Sequence, residues 1–345
     1  MGIRNRLAAR AFAALVAALL APALAFAQGK TRLNVYSTLE QEYIDGFRKA
    51  FEADNPDIEI AFLRDSTGVI TARLQSEKER PQADAAWGLA VTSMLVLDKD
   101  GILEAYKPAD FDQLKPLFRD PRPSPTWFGI EAWAAAICWN QPEAAKRALA
   151  PPQRWADLLD PKFKGLVTMP NPNSSGTGFF HVAGWIQMMG EEKAWAFMDA
   201  LHQNIAVYVH SGTKPCRDAA AGEFPVGIAY ELMGAQLKTR GAPIDVLVMK
   251  DGGGWDMDCF AIIKGTKHLE AARRLADWAT SRKANEMYAE FATQVAWPGI
   301  AINMPNYPPG VAESLIKNDF AWAAENRARI LAEWTRRYDG KSAPK

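Results

Sequence analysis

The chain has 345 residues, and its 40 Lys and Arg equal its 40 Asp and Glu. That balance leaves no excess of positive charge for nucleic acid or an anionic membrane, both of which favour basic patches. Four scattered His, three Cys without a C-x-x-C pair and no H-E-x-x-H give no basis for a metal site, and no cofactor is expected.

The first ten residues carry Arg4, Arg6 and Arg10 and no acid. An Ala/Leu/Val/Phe run broken by Pro22 follows and ends in Ala25-Phe26-Ala27. This pattern predicts a secretory signal peptide over 1–27, cleaved after Ala27, and therefore a periplasmic protein. The run is short of the roughly 20 apolar residues that span a bilayer. No Cys stands at the cleavage point, so no lipid anchor is expected. Cleavage removes three basic residues and leaves a slightly acidic chain, longer than one core usually serves, which predicts two lobes.

Along that chain, strands are expected over 33–36, 58–63 and 83–87, with helices over 41–53, 69–78 and 91–98. Regular alternation of this kind predicts an α/β fold with a mainly parallel sheet covered by helices. Ligands of such sheets sit at the carboxyl ends of strands, where the loops 37–40, 64–68 and 87–90 are placed. Residues 111–125 read as loop. The apolar segment 127–140 reads as a strand crossing between lobes. A second alternation follows, with strands over 166–169, 205–209, 226–230 and 244–249 and helices over 179–189, 192–201, 215–221 and 232–239. Strand 257–263 leads back, and 268–280 and 282–291 are amphipathic. The expected division is 28–133 with 250–345 as one lobe and 134–249 as the other, joined by a two-segment hinge.

Three strand-to-helix junctions are rich in Ser, Thr and Gly. They are Arg64-Asp65-Ser66-Thr67-Gly68, Ser174-Ser175-Gly176-Thr177-Gly178 and Ser211-Gly212-Thr213-Lys214-Pro215. Helix starts expose backbone N–H groups and the positive end of the helix dipole, so three of them point to a small anionic ligand. Ordinary N-capping is the other reading of each. No G-x-S-x-G elbow, P-loop or Asp/His cluster supports a hydrolase of phosphonate or phosphate esters, which stays a distant alternative to a non-enzymatic binding protein.

Several segments carry a resemblance: Leu33-Asn34-Val35-Tyr36-Ser37-Thr38, Arg64-Asp65-Ser66-Thr67-Gly68, Met169-Pro170-Asn171-Pro172, Ser175-Gly176-Thr177-Gly178 and Gly254-Trp255-Asp256. The chain resembles the two-lobed periplasmic solute-binding proteins of ABC importers, related to the ferric-iron-binding branch and most similar to the 2-aminoethylphosphonate-binding group. The resemblance implies a monomeric receptor that closes around its ligand and delivers it to a permease and its ATPase. Ferric-binding relatives carry two adjacent tyrosines where this chain has Tyr230-Glu231, so ferric iron is the alternative ligand, with polyamines beside it.

For a phosphonate group the expected donors are Ser66, Thr67 and Gly68 from one lobe and Ser175, Gly176 and Thr177 from the other. Ser211 and Thr213 form a third wall, and Arg64 is a source of positive charge. For the ammonium end the expected acids are Glu231 and Asp256, then Glu40. Trp87, Trp255 and Tyr230 are expected as walls. Asp65 is expected to order its own loop. Cys138 and Cys216, both in the second lobe of an exported chain, are expected to form a disulfide and Cys259 a buried thiol; three reduced thiols are the alternative.

Overall fold

The computed structural model describes residues 29–344. The expected signal peptide lies outside the described residues. Strands β1 (Thr31–Ser37), β2 (Ile58–Arg64) and β3 (Ala85–Ala90) run parallel in the order β2-β1-β3. Helix Gln41–Asp54 connects the first two and buries Ile44, Phe47 and Phe51, spaced by three and four residues on one face. Helix Thr67–Ser76 connects the next two.

β4 (Phe128–Asn140) is buried along all 13 residues, as a strand covered on both faces must be. β5 (Val167–Pro170), β6 (Ile205–Val209), β7 (Val226–Tyr230), β8 (Ile244–Leu247), β9 (Trp255–Ile262) and β10 (Gln294–Val295) complete the sheet. The strand order is β2-β1-β3-β9-β4-β7-β5-β6, with β8 and β10 also on β4. The pairs β5–β6 and β5–β7 are parallel, in keeping with the expected α/β alternation. The central pairs β3–β9, β4–β9 and β4–β7 are antiparallel, so the whole sheet is mixed. The reason is the connectivity: β4 and β9 carry the chain in opposite directions across the middle. β4 changes partner between Ala134, opposite Trp255 of β9, and Ala135, opposite Tyr230 of β7.

The sequence reading stopped at residue 291 and missed helix Phe320–Tyr338. Its Ala323, Arg327, Ile330, Trp334 and Tyr338 form one buried stripe. The helix packs on Val91–Lys99 near its start. At its far end the Tyr338 hydroxyl donates to Asp199 at 2.8 Å, and Lys341 donates to the carbonyls of His202 and Ile205. It therefore straps elements from both halves of the sheet.

Cys138, near the end of β4, and Cys216, in helix Lys214–Ala221, form a disulfide across 5.1 Å between Cα atoms. Cys259 is a buried free thiol. The bridge ties the helix behind the Ser211–Thr213 junction to the central strand.

Candidate functional site

The three junctions meet. A cavity of about 90 Å³ is lined by Ser66 and Thr67 on one side and by Ser175, Gly176, Thr177, Ser211, Gly212 and Thr213 on the other. The segments touch because small residues let them. A Cβ on Gly68 would stand 1.8 Å from the Asn173 carbonyl oxygen, and one on Gly212 would stand 2.3 Å from Thr177 Oγ1. The Gly68 N–H donates to the Ser174 carbonyl at 2.8 Å, so Gly68 clasps the two sides together and has no N–H left for a ligand. Gly176 and Thr177 are the first two residues of helix Gly176–Met189, where N–H groups have no acceptor within the helix.

Capping and lining are not exclusive here. Ser175 Oγ accepts from Gly178 N at 3.3 Å and still lines the cavity. Ser66 makes no side-chain cap, nor does Thr213. Asp65 accepts from Ser66 N at 2.6 Å, ordering its own loop, and from His210 Nε2 at 3.2 Å across the junction. Lys214 is taken by Asp218 at 2.6 Å. Arg64 lines the cavity, held by Leu39 O at 2.6 Å and Glu40 at 2.8 Å. Glu40 also meets Arg217 at 3.2 Å, so its charge is compensated from two sides.

The structure places several expected site residues away from the cavity. Trp87 is fully buried between Phe47, Phe62, Phe260 and Trp278, because β3 runs on to Ala90 and leaves residue 87 in mid-strand. Trp255 donates its indole N–H to Ile316 O at 3.0 Å and packs on Phe320, a partner on the unanticipated final helix and its lead-in. Glu231 is buried and accepts from Ala134 N at 2.7 Å and from the Tyr307 hydroxyl at 3.3 Å, fixing β4 to a helix start. Burial lifts its pKa to about 8. Asp256 accepts from Val91 N at 3.0 Å and Thr92 Oγ1 at 2.7 Å. It serves helix Val91–Lys99, whose N-cap residue Ala90 has no side-chain acceptor. Of the expected walls, only Tyr230 lines the cavity, and burial first, then nearby carboxylates, push its phenol far up.

The cavity instead receives Thr38, Glu131, Trp133 and Asp258. Thr38 donates to the Gly88 carbonyl. Glu131 and Trp133 stand two apart on β4 and share a face. Asp258 stands opposite Glu131 in the β4–β9 register. The missed signal was an acid inside an otherwise apolar strand, since such a charge is buried only at a cost. β-Bulges at Gly88, with φ of 83°, and between Gly129 and Glu131 flank this pair and re-aim its side chains.

The chain is 30% identical to an uncharacterised protein of Haemophilus influenzae, over 92% of this chain and 94% of that one. It is 26% identical to a probable ABC transporter periplasmic-binding protein, y4fP, of Sinorhizobium fredii, over 83% and 78% of the two chains. In structure it is similar to the periplasmic binding protein AfuA of Actinobacillus pleuropneumoniae, solved with exogenous fructose-6-phosphate bound. The TM-score is 0.84 and the identity 30%, covering 90% of this chain and 99% of AfuA. With residues 91–329 matching the family model, the chain belongs to the bacterial extracellular solute-binding proteins, the solute-binding components of ABC transporters, in their two-lobed α/β fold.

Proposed function

We propose that this protein captures 2-aminoethylphosphonate, or a closely related small zwitterion, in the periplasm and hands it to an ABC permease driven by its ATPase. The observation that carries this reading is the polarity of the cavity. Hydroxyls and helix-start N–H groups from both sides line it together with Arg64, and the carboxyls of Glu131 and Asp258, which form no ion pair among the described residues, line it as well. A phosphonate matches the first and an ammonium the second. Each charge-assisted bond contributes about 1.5–3 kcal/mol, so a handful offsets the cost of association. The small cavity suits a short ligand, and Trp133 supplies an aromatic wall for its carbon chain.

The lobes in this reading are 28–133 with 250–345 and 134–249, and the mature chain is a monomer cleaved after Ala27. A ligand that bonds to both lobes favours closure by its differential affinity for the closed state. A ferric ligand would call for a phenolate pair, and Tyr230 is the one phenol among the described residues that line the cavity.

A hexose phosphate is the second reading, favoured by the ligand in the AfuA structure, because carboxylates also accept sugar hydroxyls. Calorimetry on refolded, ligand-free protein separates them. The expected result is heat with 2-aminoethylphosphonate and none with ferric citrate or spermidine. Heat with fructose-6-phosphate and none with 2-aminoethylphosphonate would transfer the assignment to the sugar phosphate.

A further inference from the structure

Two carboxyls face each other in the cavity and form no ion pair with a base among the described residues. Glu131 and Asp258 are register partners on adjacent antiparallel strands, where like charges oppose folding. Glu131 is buried and Asp258 half-buried, and Glu131 Oε2 has no hydrogen-bond partner. The charged groups around them give no relief. Arg64 is held by Glu40 and Leu39, and Arg327 lies over the Phe179 ring at 4.1 Å, on the Asp256 side. Glu40, Glu231 and Asp256 add negative charge when ionised, while the phenols of Tyr230 and Tyr307 stay protonated. Register shifts in β3, between Trp87 and Leu89, and in β4, between Gly129 and Glu131, flank the pair.

We propose that Glu131 and Asp258 share a proton in the empty cleft and exchange it for the ammonium group of the ligand, so that capture of an amine releases a proton. The exchange rests on the zwitterion reading of the same site. In the empty cleft two facing carboxylates at a site this poor in water resist ionising together: burial raises both, Glu131 to about 7, and Glu131 raises Asp258 further by its charge and by a hydrogen bond between the two. When the ligand enters as an ammonium ion, its N–H groups donate to both carboxylates and its positive charge replaces that of the shared proton. That proton leaves to bulk water, and no other bond changes. A ligand that offers only hydroxyls brings no charge and leaves the proton in place. The pair therefore discriminates amines from sugars by charge as well as shape. Affinity for an amine rises by about tenfold per pH unit through the range where the empty pair holds its proton.

Two measurements test this. Infrared spectra of ligand-free protein at pH 7 should contain a protonated-carboxyl stretch that Glu131→Gln removes in the difference spectrum, with Asp258→Asn as the second variant. The absence of any such difference in both would overturn the shared proton, whatever the ligand. Calorimetry at pH 6.5 in buffers of different ionisation enthalpy should then count about one proton released per 2-aminoethylphosphonate bound, and none in Glu131→Gln. Heat without proton release would sink the exchange and leave the ligand reading standing. No heat at all from 2-aminoethylphosphonate would remove the ligand reading and the exchange with it, and the spectra would still decide the shared proton.

Discussion

Ser175 and Thr177 show how two hydroxyl residues two positions apart take different tasks. Ser175 Oγ caps Gly178 N, and Thr177 lines the cavity without a cap to make. Ser175→Ala should therefore lower stability by about 0.5–2 kcal/mol as well as weaken binding. Thr177→Ala should leave the urea midpoint nearly unchanged and weaken 2-aminoethylphosphonate and ethylphosphonate alike, by about tenfold or more if a charge-assisted bond is lost. Loss of 2-aminoethylphosphonate alone would move Thr177 to the amine end. Glu231 and Asp256 carry the opposite lesson. Both are buried acids near the cleft, and both are spent on backbone N–H groups, one fastening β4 and the other a helix start.

Elements position the site through close approach. Helix Thr67–Ser76 begins against the 173–175 turn because Gly68 has no side chain, and the Gly68 N–H to Ser174 O bond forms only at that distance. Gly68→Ala should wedge the two junctions apart, because the obstructing Asn173 atoms are backbone and cannot swing aside. The expected outcome is a ligand dissociation constant raised by more than tenfold, about 1.4 kcal/mol or more, with a solution scattering profile that stays extended when ligand is added. Normal compaction on adding ligand would show that the junctions separate freely in the working protein. The disulfide acts at the same scale, fixing helix Lys214–Ala221 to β4 so that Ser211 to Thr213 meet the cavity from a held base.

At the scale of the whole molecule, buried acids make stability depend on pH. Glu231, lifted to about 8 by burial, holds its proton in the folded chain and loses it near 4.5 when unfolded. Its contribution is fully present below pH 4.5 and is lost as pH rises through 8. Asp256, lifted to about 6, acts the same way over a lower window. His181 acts in reverse. It lies buried among Phe180, Trp155 and Trp185, and burial lowers it to about 4, so its contribution is present above pH 6.5 and falls away as pH drops through 4. Stability should therefore decline from pH 7 to pH 8, above the His181 window, and Glu231→Gln should flatten that decline by about 1 kcal/mol. Urea unfolding of both proteins at pH 6, 7 and 8 checks it, and parallel curves would show that Glu231 is ionised when buried.

The sequence by itself determined the alternation of strands and helices, the crossing strand and the three junctions, because each is written in local periodicity or in a short run of Ser, Thr and Gly, and it determined the bridged cysteines through the oxidising compartment that export implies and their place in one lobe. Strands 205–209 and 226–230 came out residue for residue, where apolar runs end in turn residues. Only the tertiary structure decided which acids and aromatics face the ligand. Asp256 and Asp258 stand two apart on one apolar strand, yet one serves a helix and the other the cavity, because bulges in β3 and β4 and the partners across the sheet set their directions. Trp87 and Trp133 are each a tryptophan in a buried strand, and only the packing of Phe47, Phe260 and Trp278 around the first makes it core. Local pattern states what a side chain is, whereas its surroundings are assembled from residues distant in the sequence.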